Sequence, residues 1–311
     1  MAMMDVSVVG ELNLDLIFYG LSNQLELERE HLAKDLSITL GSSSAIFAHN
    51  LALLGNQVGF SSAIGSDALG EICVERLAES GADLSKVRRF PTRQTGVTVI
   101  LPTGAQRYIL TYPGTMSEMR FEDLDLDFVC NAKHFHLSSY YLQRAMRPKM
   151  LDLFRHVKQA GLTTSLDTND DPDEIWSDEL LPILKYVDVL LPNEREACKI
   201  SRKPELQSAA QALSAFVPLV VIKSGSRGAL ARQGDKIFSA PAQISAAVDT
   251  VGAGDSFDAG FIHQYIRGAS VEDCLRFGNV AGALSVTCAG GTEAFRDKSR
   301  REAFLSANWR E

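Results

Sequence analysis

Short runs rich in Val, Ile and Leu alternate with helix-length segments, and this alternation limits the fold of the chain more than any other feature. The apolar runs lie at residues 6–9, 97–101, 163–166, 187–191 and 219–223. The helix-length segments lie at residues 43–54, 70–80, 145–161, 207–216 and 272–288. Nearly continuous apolar runs are typical of strands that are covered on both faces. The pattern therefore predicts an α/β fold with a mainly parallel sheet.

Further strand-like segments lie near residues 12–20, 35–40 and 95–113, without helices of comparable length between all of them. The last segment reads as a β-hairpin with its turn at residues 102–105, where Pro and Gly separate two apolar runs. Too few helices accompany these strands to cover both faces of a sheet, so we expect a small separate sheet that acts as a lid. Because no linker or charge run marks a boundary, we predict a single domain over residues 1–311, with the lid built from these discontinuous segments.

The amino-acid composition indicates which kinds of partner and which cellular location to expect. An apolar share of 45% and a charged share of 23% are ordinary for a soluble globular protein. The 31 basic and 39 acidic residues give a net charge of −8, which disfavours nucleic acid as a partner. The five cysteines show no CxxC spacing, which favours reduced thiols. The start reads as a strand near Asp5 and no apolar run reaches the roughly 20 residues of a membrane helix, so we expect a cytoplasmic protein with no membrane partner.

The stretch at residues 249–261 reads D-T-V-G-A-G-D-S-F-D-A-G-F and carries the strongest chemical signal. Phe257, Phe261 and Tyr265 follow the glycines at helical spacing, so the pattern predicts a glycine-rich turn that opens a helix. The free N–H groups at such a helix start bind anions. A carboxylate there would repel phosphate, but Asp255 makes sense as a base that accepts a proton from an attacking hydroxyl. Taken alone, the string is equally compatible with a plain turn in which Asp255 stabilises the positive helix end.

The longer string resembles the signature D-T-x-G-A-G-D-x-F of the ribokinase-like (PfkB) carbohydrate kinases, and it matches every defined position from Asp249 to Phe257. The resemblance implies a three-layer α/β/α body with a small β-sheet lid. It also implies ATP-dependent phosphorylation of a hydroxyl on a small sugar or sugar-like substrate. In this family the residue that matches Asp255 is the catalytic base, and the residues that match Gly252, Ala253 and Gly254 supply the anion hole.

The resemblance extends to sites for cations. Asn193 and Glu196 match the N-x-x-E element of the family, which organises Mg²⁺ partly through water. By the residues alone, Asn193 would be a helix N-cap with Glu196 completing a capping box. Asp249 and the loop at residues 289–292 match regions that hold a monovalent cation in many relatives, which implies K⁺ as a further cofactor.

Two segments match positions that border the nucleotide in the family. Lys223, Ser224, Gly225 and Gly228 follow an apolar strand and resemble the loop K/T-x-G-x-x-G. The alternative is an ordinary glycine-rich turn between two strands with its cations exposed. Asn279 matches a position near the adenine, although an isolated helical Asn is usually only solvated.

The substrate end shows both agreement with the family and a departure from it. Asn13 and Asp15 fit the element G-x-x-N-x-D, in which the Asp binds substrate hydroxyls. Gly41 and Ser42 stand where relatives carry G-G-x-x-x-N, but Ile46 replaces the Asn of that element. An apolar side chain cannot hold a hydroxyl, so we expect that contact to be missing or to come from Ser43, Ser44 or His49. This departure makes ribose a doubtful substrate.

A second departure concerns acid sugars. The segment at residues 167–171 and Trp176 resemble the D-x-N-x-R…W stretch of ketodeoxygluconate and fructose kinases, but Asp171 replaces the Arg. A substrate carboxylate would lose its ion-pair partner there. The alternatives left open are a nucleoside kinase and a sugar- or nucleotide-binding sensor without turnover. The resemblance also implies a homodimer formed through the lid.

Overall fold

A computed structural model of the chain describes residues 3–22, 24–103, 106–243 and 245–310. The strands, in chain order, are β1 Met4–Val9, β2 Asn13–Tyr19, β3 Asp35–Leu40, β4 Val58–Gly65, β5 Asp83–Phe90, β6 Gly96–Thr103, β7 Gln106–Tyr112, β8 Ala132–Leu137, β9 Thr163–Leu166, β10 Val189–Leu190, β11 Leu219–Lys223, β12 Ala229–Gln233 and β13 Lys236–Ala240. The helices are α1 Ser43–Leu53, α2 Ala68–Ala78, α3 Leu126–Cys130, α4 Met150–Gln159, α5 Leu181–Leu184, α6 Glu194–Ser201, α7 Leu206–Leu213, α8 Ala253–Tyr265, α9 Val271–Ser285, α10 Glu293–Arg296 and α11 Lys298–Asn308.

The central sheet follows the order β13-β12-β11-β10-β9-β8-β1-β4-β5. Its strands pair in parallel from β11 to β5, and β12 and β13 extend one edge antiparallel. Strand β10 is buried, and β11 is buried in all but its last residue, as the continuous apolar runs at residues 187–191 and 219–223 predict. The larger of the core clusters holds Phe154 of α4, and a second large cluster, on the opposite face, holds Phe47 of α1 and Phe261 of α8. The predicted α/β class with a mainly parallel sheet is therefore confirmed.

A second sheet with the order β3-β2-β6-β7 lies over the carboxyl end of the first. Its inner face carries Asp15 and Thr98, which are opposite each other in the β2–β6 register. Its outer face carries apolar side chains from every strand, and those of Ile38 and Leu110 are about half exposed. The predicted hairpin is formed by β6 and β7, but Gly104 and Ala105 of its turn lie outside the described residues. We call this sheet the lid.

Two sequence expectations concern the environment of the protein. All five cysteines are free thiols, as their spacing predicts. In the part of the chain that the structure describes, no helix combines the length and the apolarity needed to cross a membrane.

Candidate active site

Polar side chains meet where the parallel strands of the central sheet end. Glu11 follows β1, Asp167 follows β9, and Lys223 is the last residue of β11. Carboxyl ends of parallel strands lie at one edge of a sheet, where α/β proteins usually bind ligands. Helix α8 begins at the same edge, and the lid covers it.

The glycine-rich turn has the predicted form. Gly252 precedes α8 with φ 73°, a left-handed conformation that favours glycine. A Cβ on Gly252 would also lie 2.5 Å from Cα of Gly291, so the turn and the loop at residues 289–292 pack backbone to backbone. A Cβ on Gly254 would meet nothing nearer than Nζ of Lys223 at 3.6 Å. The N–H of Ala253 donates to the carbonyl oxygen of Thr250 at 3.4 Å, whereas the N–H of Gly254, as one of the first in a helix, has no intrahelical partner and lies beside this space.

Asp255 lies in the first turn of α8 and is half-buried. Burial raises the pKa of its carboxyl to about 6, and the negative charge of Asp167 adds to the effect. The positive charge of Lys223 and a hydrogen bond from Ser43 oppose this rise. The carboxyl is therefore mostly ionised at neutral pH, with a basicity suited to accepting a proton.

Lys223 is held between two carboxylates in the interior. Its Nζ donates to Oδ2 of Asp167 and to Oδ2 of Asp258, both at 2.8 Å. The side chains of Asp167 and Asp258 are only 3% and 1% exposed. Lys223 is therefore not an exposed lysine of an ordinary turn, and it lies next to Gly254 at the mouth of α8.

Asn193 and Glu196 form the capping box at the start of α6. The N–H of Asn193 donates to Oε2 of Glu196 at 2.8 Å, and the N–H of Glu196 donates to Oδ1 of Asn193 at 3.0 Å. The Asn193 side chain also donates to Oε1 of Glu196. Burial and the nearby Asp167 raise the pKa of Glu196 to about 8, against the effect of Lys223. Among the described residues, no group of three or more His, Cys, Asp or Glu side chains is arranged to hold a metal by itself.

Asp15 of β2 lies on the inner face of the lid and is 6% exposed. Burial, together with the charges of Asp255 and Asp249, raises its pKa to about 7 against the opposing effect of Arg107. A Cβ on Gly41 would lie 2.1 Å from Oδ1 of Asp15. Glycine at position 41 therefore allows the close approach of this carboxylate, and Asp15 lies near enough to Asp255 for the charge of one to act on the other.

Asn13 and Ser42 bind each other. The Asn13 N–H donates to Oγ of Ser42 at 2.9 Å, the Ser42 hydroxyl donates to Oδ1 of Asn13, and Nδ2 of Asn13 donates to Oγ1 of Thr98 at 3.1 Å. Both side chains are thus engaged within the protein, which joins β2 to the start of α1.

Ile46 is buried and packs against the backbones of Gly252 and Gly291, so it supports the glycine-rich turn.

The lid makes two polar contacts with the segment before the turn. The Tyr19 hydroxyl donates to Oδ2 of Asp249 at 2.8 Å, and Nη1 of Arg107 donates to Oγ1 of Thr250 at 3.1 Å. Asp249 also accepts from the N–H of Gly290 at 3.0 Å, so one carboxylate joins the lid, the turn and the loop at residues 289–292.

The remaining residues with a predicted nucleotide role lie farther along the same edge. Ser224, Gly225 and Gly228 form the connection between the antiparallel strands β11 and β12, and Gly228 has φ 90°. Nδ2 of Asn279 on α9 donates to the carbonyl oxygens of Ala240 and Pro241 at 3.1 and 3.0 Å. The amide of Asn279 thus holds the segment after β13 in place.

The sequence interpretation missed three residues of the site: Glu11, Asp258 and Tyr19. Asp258 stands one helical turn after Asp255, so helical spacing alone places it near the same edge. Glu11 and Tyr19 gave no such signal, because their partners are distant in the chain.

Comparison with known proteins gives consistent matches. The sequence model of the family described as "pfkB family carbohydrate kinase" matches residues 3–298. A ribokinase from Arabidopsis thaliana is 31% identical over 94% of this chain and 78% of its own. A 2-dehydro-3-deoxygluconokinase from Bacillus subtilis is 28% identical over 95% of this chain and 97% of its own. An E. coli protein provisionally named ribokinase II, solved in complex with ATP and Mg²⁺, shares the fold with a TM-score of 0.86 at 23% identity, covering 98% of this chain and 99% of that chain.

Proposed function

Because this chain belongs to the PfkB family of carbohydrate kinases, we propose that it transfers the terminal phosphoryl group of ATP to a hydroxyl of a small sugar or sugar-like molecule, with Asp255 as general base. The observation that carries the proposal is the position of Asp255. Its carboxyl lies in the first turn of α8, beside the amides of the glycine-rich turn and opposite Asp15.

Each residue of the site has a separate role in the proposed reaction. Asp15 binds hydroxyls of the acceptor on the inner face of the lid. Asp255 takes the proton of the acceptor hydroxyl, and the hydroxyl oxygen forms a bond to the terminal phosphorus of ATP in line with the bond to the bridging oxygen, which breaks as ADP leaves. The N–H groups of Gly252, Ala253 and Gly254 and the positive end of α8 stabilise the charge that develops on the transferred group. Lys223, Ser224, Gly225, Gly228 and Asn279 border the nucleotide in this proposal.

Docking of the lid on Asp249 and Thr250 supports this order of events. Through Tyr19 and Arg107, the strands that carry Asp15 touch the segment that leads into the anion hole. Closing the lid over the acceptor therefore completes the site and excludes water, which protects ATP from hydrolysis.

Mg²⁺ is the divalent cofactor in this proposal, held by Asn193 and Glu196 partly through water. The donor set fits, because Mg²⁺ prefers oxygen ligands and keeps several of its waters. The charge of the site also fits: burial and the nearby Asp167 raise the pKa of Glu196 to about 8, and a divalent cation bound beside these two side chains would favour the ionised form of Glu196. When bound, Mg²⁺ would neutralise charge on the phosphates.

A screen for acceptor-dependent ADP formation tests the proposed function. We expect ATP consumption only after addition of one member of a panel of hexoses, pentoses, keto-acid sugars and nucleosides. Turnover with nucleosides alone would make the protein a nucleoside kinase. Binding of a sugar without any turnover would instead support the sensor.

K⁺ is the proposed monovalent cofactor, bound between Asp249 and the loop at residues 289–292. The contact between Oδ2 of Asp249 and the N–H of Gly290 brings these segments together, which supports the proposal. Rates should rise in K⁺ relative to Na⁺ and to a bulky organic cation. Equal rates in the three salts would contradict a cation requirement.

We also propose that two copies pair through the outer face of the lid. Its side chains Leu36, Ile38, Tyr108, Leu110 and Tyr112 are each 45–57% exposed. Exposed apolar patches of this kind mark interaction sites, and a second copy offers the matching surface.

Introducing a charge on this face should separate the copies. Leu110→Lys should reduce the mass in sedimentation equilibrium to that of one 34.0 kDa chain. Ile237→Lys is the matched control, because Ile237 is 51% exposed but lies on the edge strand β13. A wild-type protein that sediments as a monomer would remove the dimer from the proposal.

A cytoplasmic location, which cell fractionation would test, stays a prediction from composition.

A further inference from the structure

A small apolar cluster joins the lid to the residue that precedes the glycine-rich turn, and the reaction described above gives this cluster no role. Val251 stands immediately before Gly252 and is buried. It packs with Ile17 of β2 and Ile100 of β6, which are buried and lie opposite each other in the β2–β6 register. Tyr19 packs against the same cluster. We call Ile17, Tyr19 and Ile100 the lid seat.

The lid holds three successive residues just before the turn. Tyr19 donates to Oδ2 of Asp249, and Arg107 donates to Oγ1 of Thr250. Val251 is held by its side chain in the lid seat. The N–H of Val251 also donates to Oδ1 of Asp249 at 3.0 Å. The carboxylate that accepts from Tyr19 with one oxygen therefore shapes, with the other, the backbone that leads into the turn.

The inner face of β2 connects the lid seat to the proposed acceptor site. Side chains two positions apart on a strand lie on the same face, so Asp15, Ile17 and Tyr19 form one row. The row has the proposed acceptor ligand at one end and the contacts with the segment before the turn at the other. Since β2 is hydrogen-bonded to β3 on one side and to β6 on the other, we expect it to move as one body.

The glycine-rich turn needs an anchor because its own residues do not fix its shape. Glycine has more backbone freedom than any other residue, and Gly252 has φ 73°. Val251 is the last large side chain before the glycines, so the turn can be held there from its amino-terminal side. A misplacement of about 1 Å at a reacting group can cost about 10²-fold in rate, so small movements of the turn would matter.

We propose that Val251 is a positioning residue of the anion hole and that it acts through the lid seat. The lid seat holds the Val251 side chain and the Tyr19 hydroxyl holds Asp249, so the turn keeps the conformation in which its N–H groups meet the transferred phosphoryl group. This inference rests on the proposed function of the turn. It assigns a role to the one position of the string from Asp249 to Gly254 that the family signature leaves undefined.

Hydrogen exchange followed by mass spectrometry tests the inference without turnover. In a peptide spanning residues 249–256, the N–H groups of Val251, Ala253 and Ser256 are hydrogen-bonded. We expect exchange of this peptide, relative to a peptide spanning β11, to be about tenfold faster in Val251→Ala than in the wild type. Taking the ratio to β11 removes any general loss of stability. An unchanged ratio overturns the inference.

A second substitution tests whether Val251 acts through the lid. Ile17→Ala removes the other side of the same contact, so the double variant should exchange no faster than Val251→Ala. Effects that multiply would show that the two side chains act separately, which also overturns the inference. Ile109→Ala is the matched control, because Ile109 lies opposite Ile100 in the β6–β7 register but is 56% exposed. It should keep the wild-type ratio, and an increase equal to that of Val251→Ala would contradict the role of the lid seat.

The kinetic consequence should be a loss of turnover. With the acceptor identified in the screen, Val251→Ala should lower kcat by about tenfold and change the KM of the acceptor by less than about twofold, because displaced N–H groups weaken stabilisation of the transition state. Tyr19→Phe loses only the hydrogen bond to Asp249 and should act in the same direction by less. A wild-type kcat in Val251→Ala would overturn the inference and leave the proposed function standing. If the screen finds no acceptor, the proposed function fails, while the exchange ratios still decide whether the lid seat positions the turn.

Discussion

Replacing Asp255 with Asn should lower kcat by about 10²–10⁴-fold, because the amide cannot accept the proton of the attacking hydroxyl. The substitution keeps the size of the side chain, so the KM values for ATP and acceptor should change little. Steady-state kinetics over the acceptor identified in the screen would measure both effects.

The wild type should also lose activity at low pH. Burial raises the pKa of Asp255 to about 6, and only the ionised carboxyl can act as a base. Activity should therefore fall as the pH drops below about 6, and Asp255→Asn should lack this dependence. Asp235→Asn is the matched control, because Asp235 is fully exposed on the turn between β12 and β13. Undiminished turnover in Asp255→Asn would remove this residue from the mechanism.

Replacing Lys223 with Met should destabilise the fold by about 3–5 kcal/mol, because it leaves Asp167 and Asp258 buried without their cation. Urea unfolding at pH 7 would measure the change in the free energy of unfolding. Lys199→Met is the matched control: Lys199 pairs with Glu174 on the surface, where both side chains are about half exposed. That pair should contribute less than about 1 kcal/mol. Equal losses in the two variants would contradict the prediction.

The pH dependence of this loss has a definite sign. Burial alone would lower the pKa of Lys223, but Asp167 and Asp258 raise it above its usual value. A lysine whose pKa is higher in the folded state than in the unfolded state contributes its full stabilisation below the pKa of the unfolded state. The contribution of Lys223 is therefore fully present at pH 7. Burial also raises the pKa of Asp258 well above its usual value. In Lys223→Met this carboxyl can be neutralised by protonation, so the deficit relative to the wild type should shrink as the pH falls.

The parts of the molecule that the sequence predicts well are those encoded by neighbouring residues. The string from Asp249 to Phe257 forms one turn and the start of one helix, so its conformation follows from local rules. The family, the enzyme class and the mainly parallel fold predicted with it are confirmed. Asn193 and Glu196 are only three positions apart, and the capping box that they form was among the predicted alternatives.

Contacts between distant segments could not be predicted in the same way. Ser43 and Asn169 are 126 positions apart, and Lys223 and Asp167 are 56 positions apart. Only the sheet order brings the ends of these elements together. Ser43, Ser44 and His49 were the predicted replacements for the hydroxyl contact that Ile46 cannot make. Of these, Ser44 is hydrogen-bonded to Glu11 and His49 is hydrogen-bonded to Asn50.

Asp171 has a role in the structure that the family pattern does not describe. By comparison with relatives, it stood where an Arg would meet a substrate carboxylate. In the structure its carboxylate accepts from the N–H groups of Asp173, Ile175 and Trp176 at 2.7–3.1 Å. It therefore organises its own loop, and a substitution by Arg would remove these three bonds before it created an anion site.

The approach of Asp15 to Gly41 has a consequence for how acceptor specificity can change. The carboxylate occupies the space that any side chain at position 41 would need. A side chain at position 41 would therefore have to displace the Asp15 carboxylate from its present place. Replacing Asp15 by a smaller residue would free that space, so a library that varies both positions together reaches combinations that a library at position 41 alone cannot.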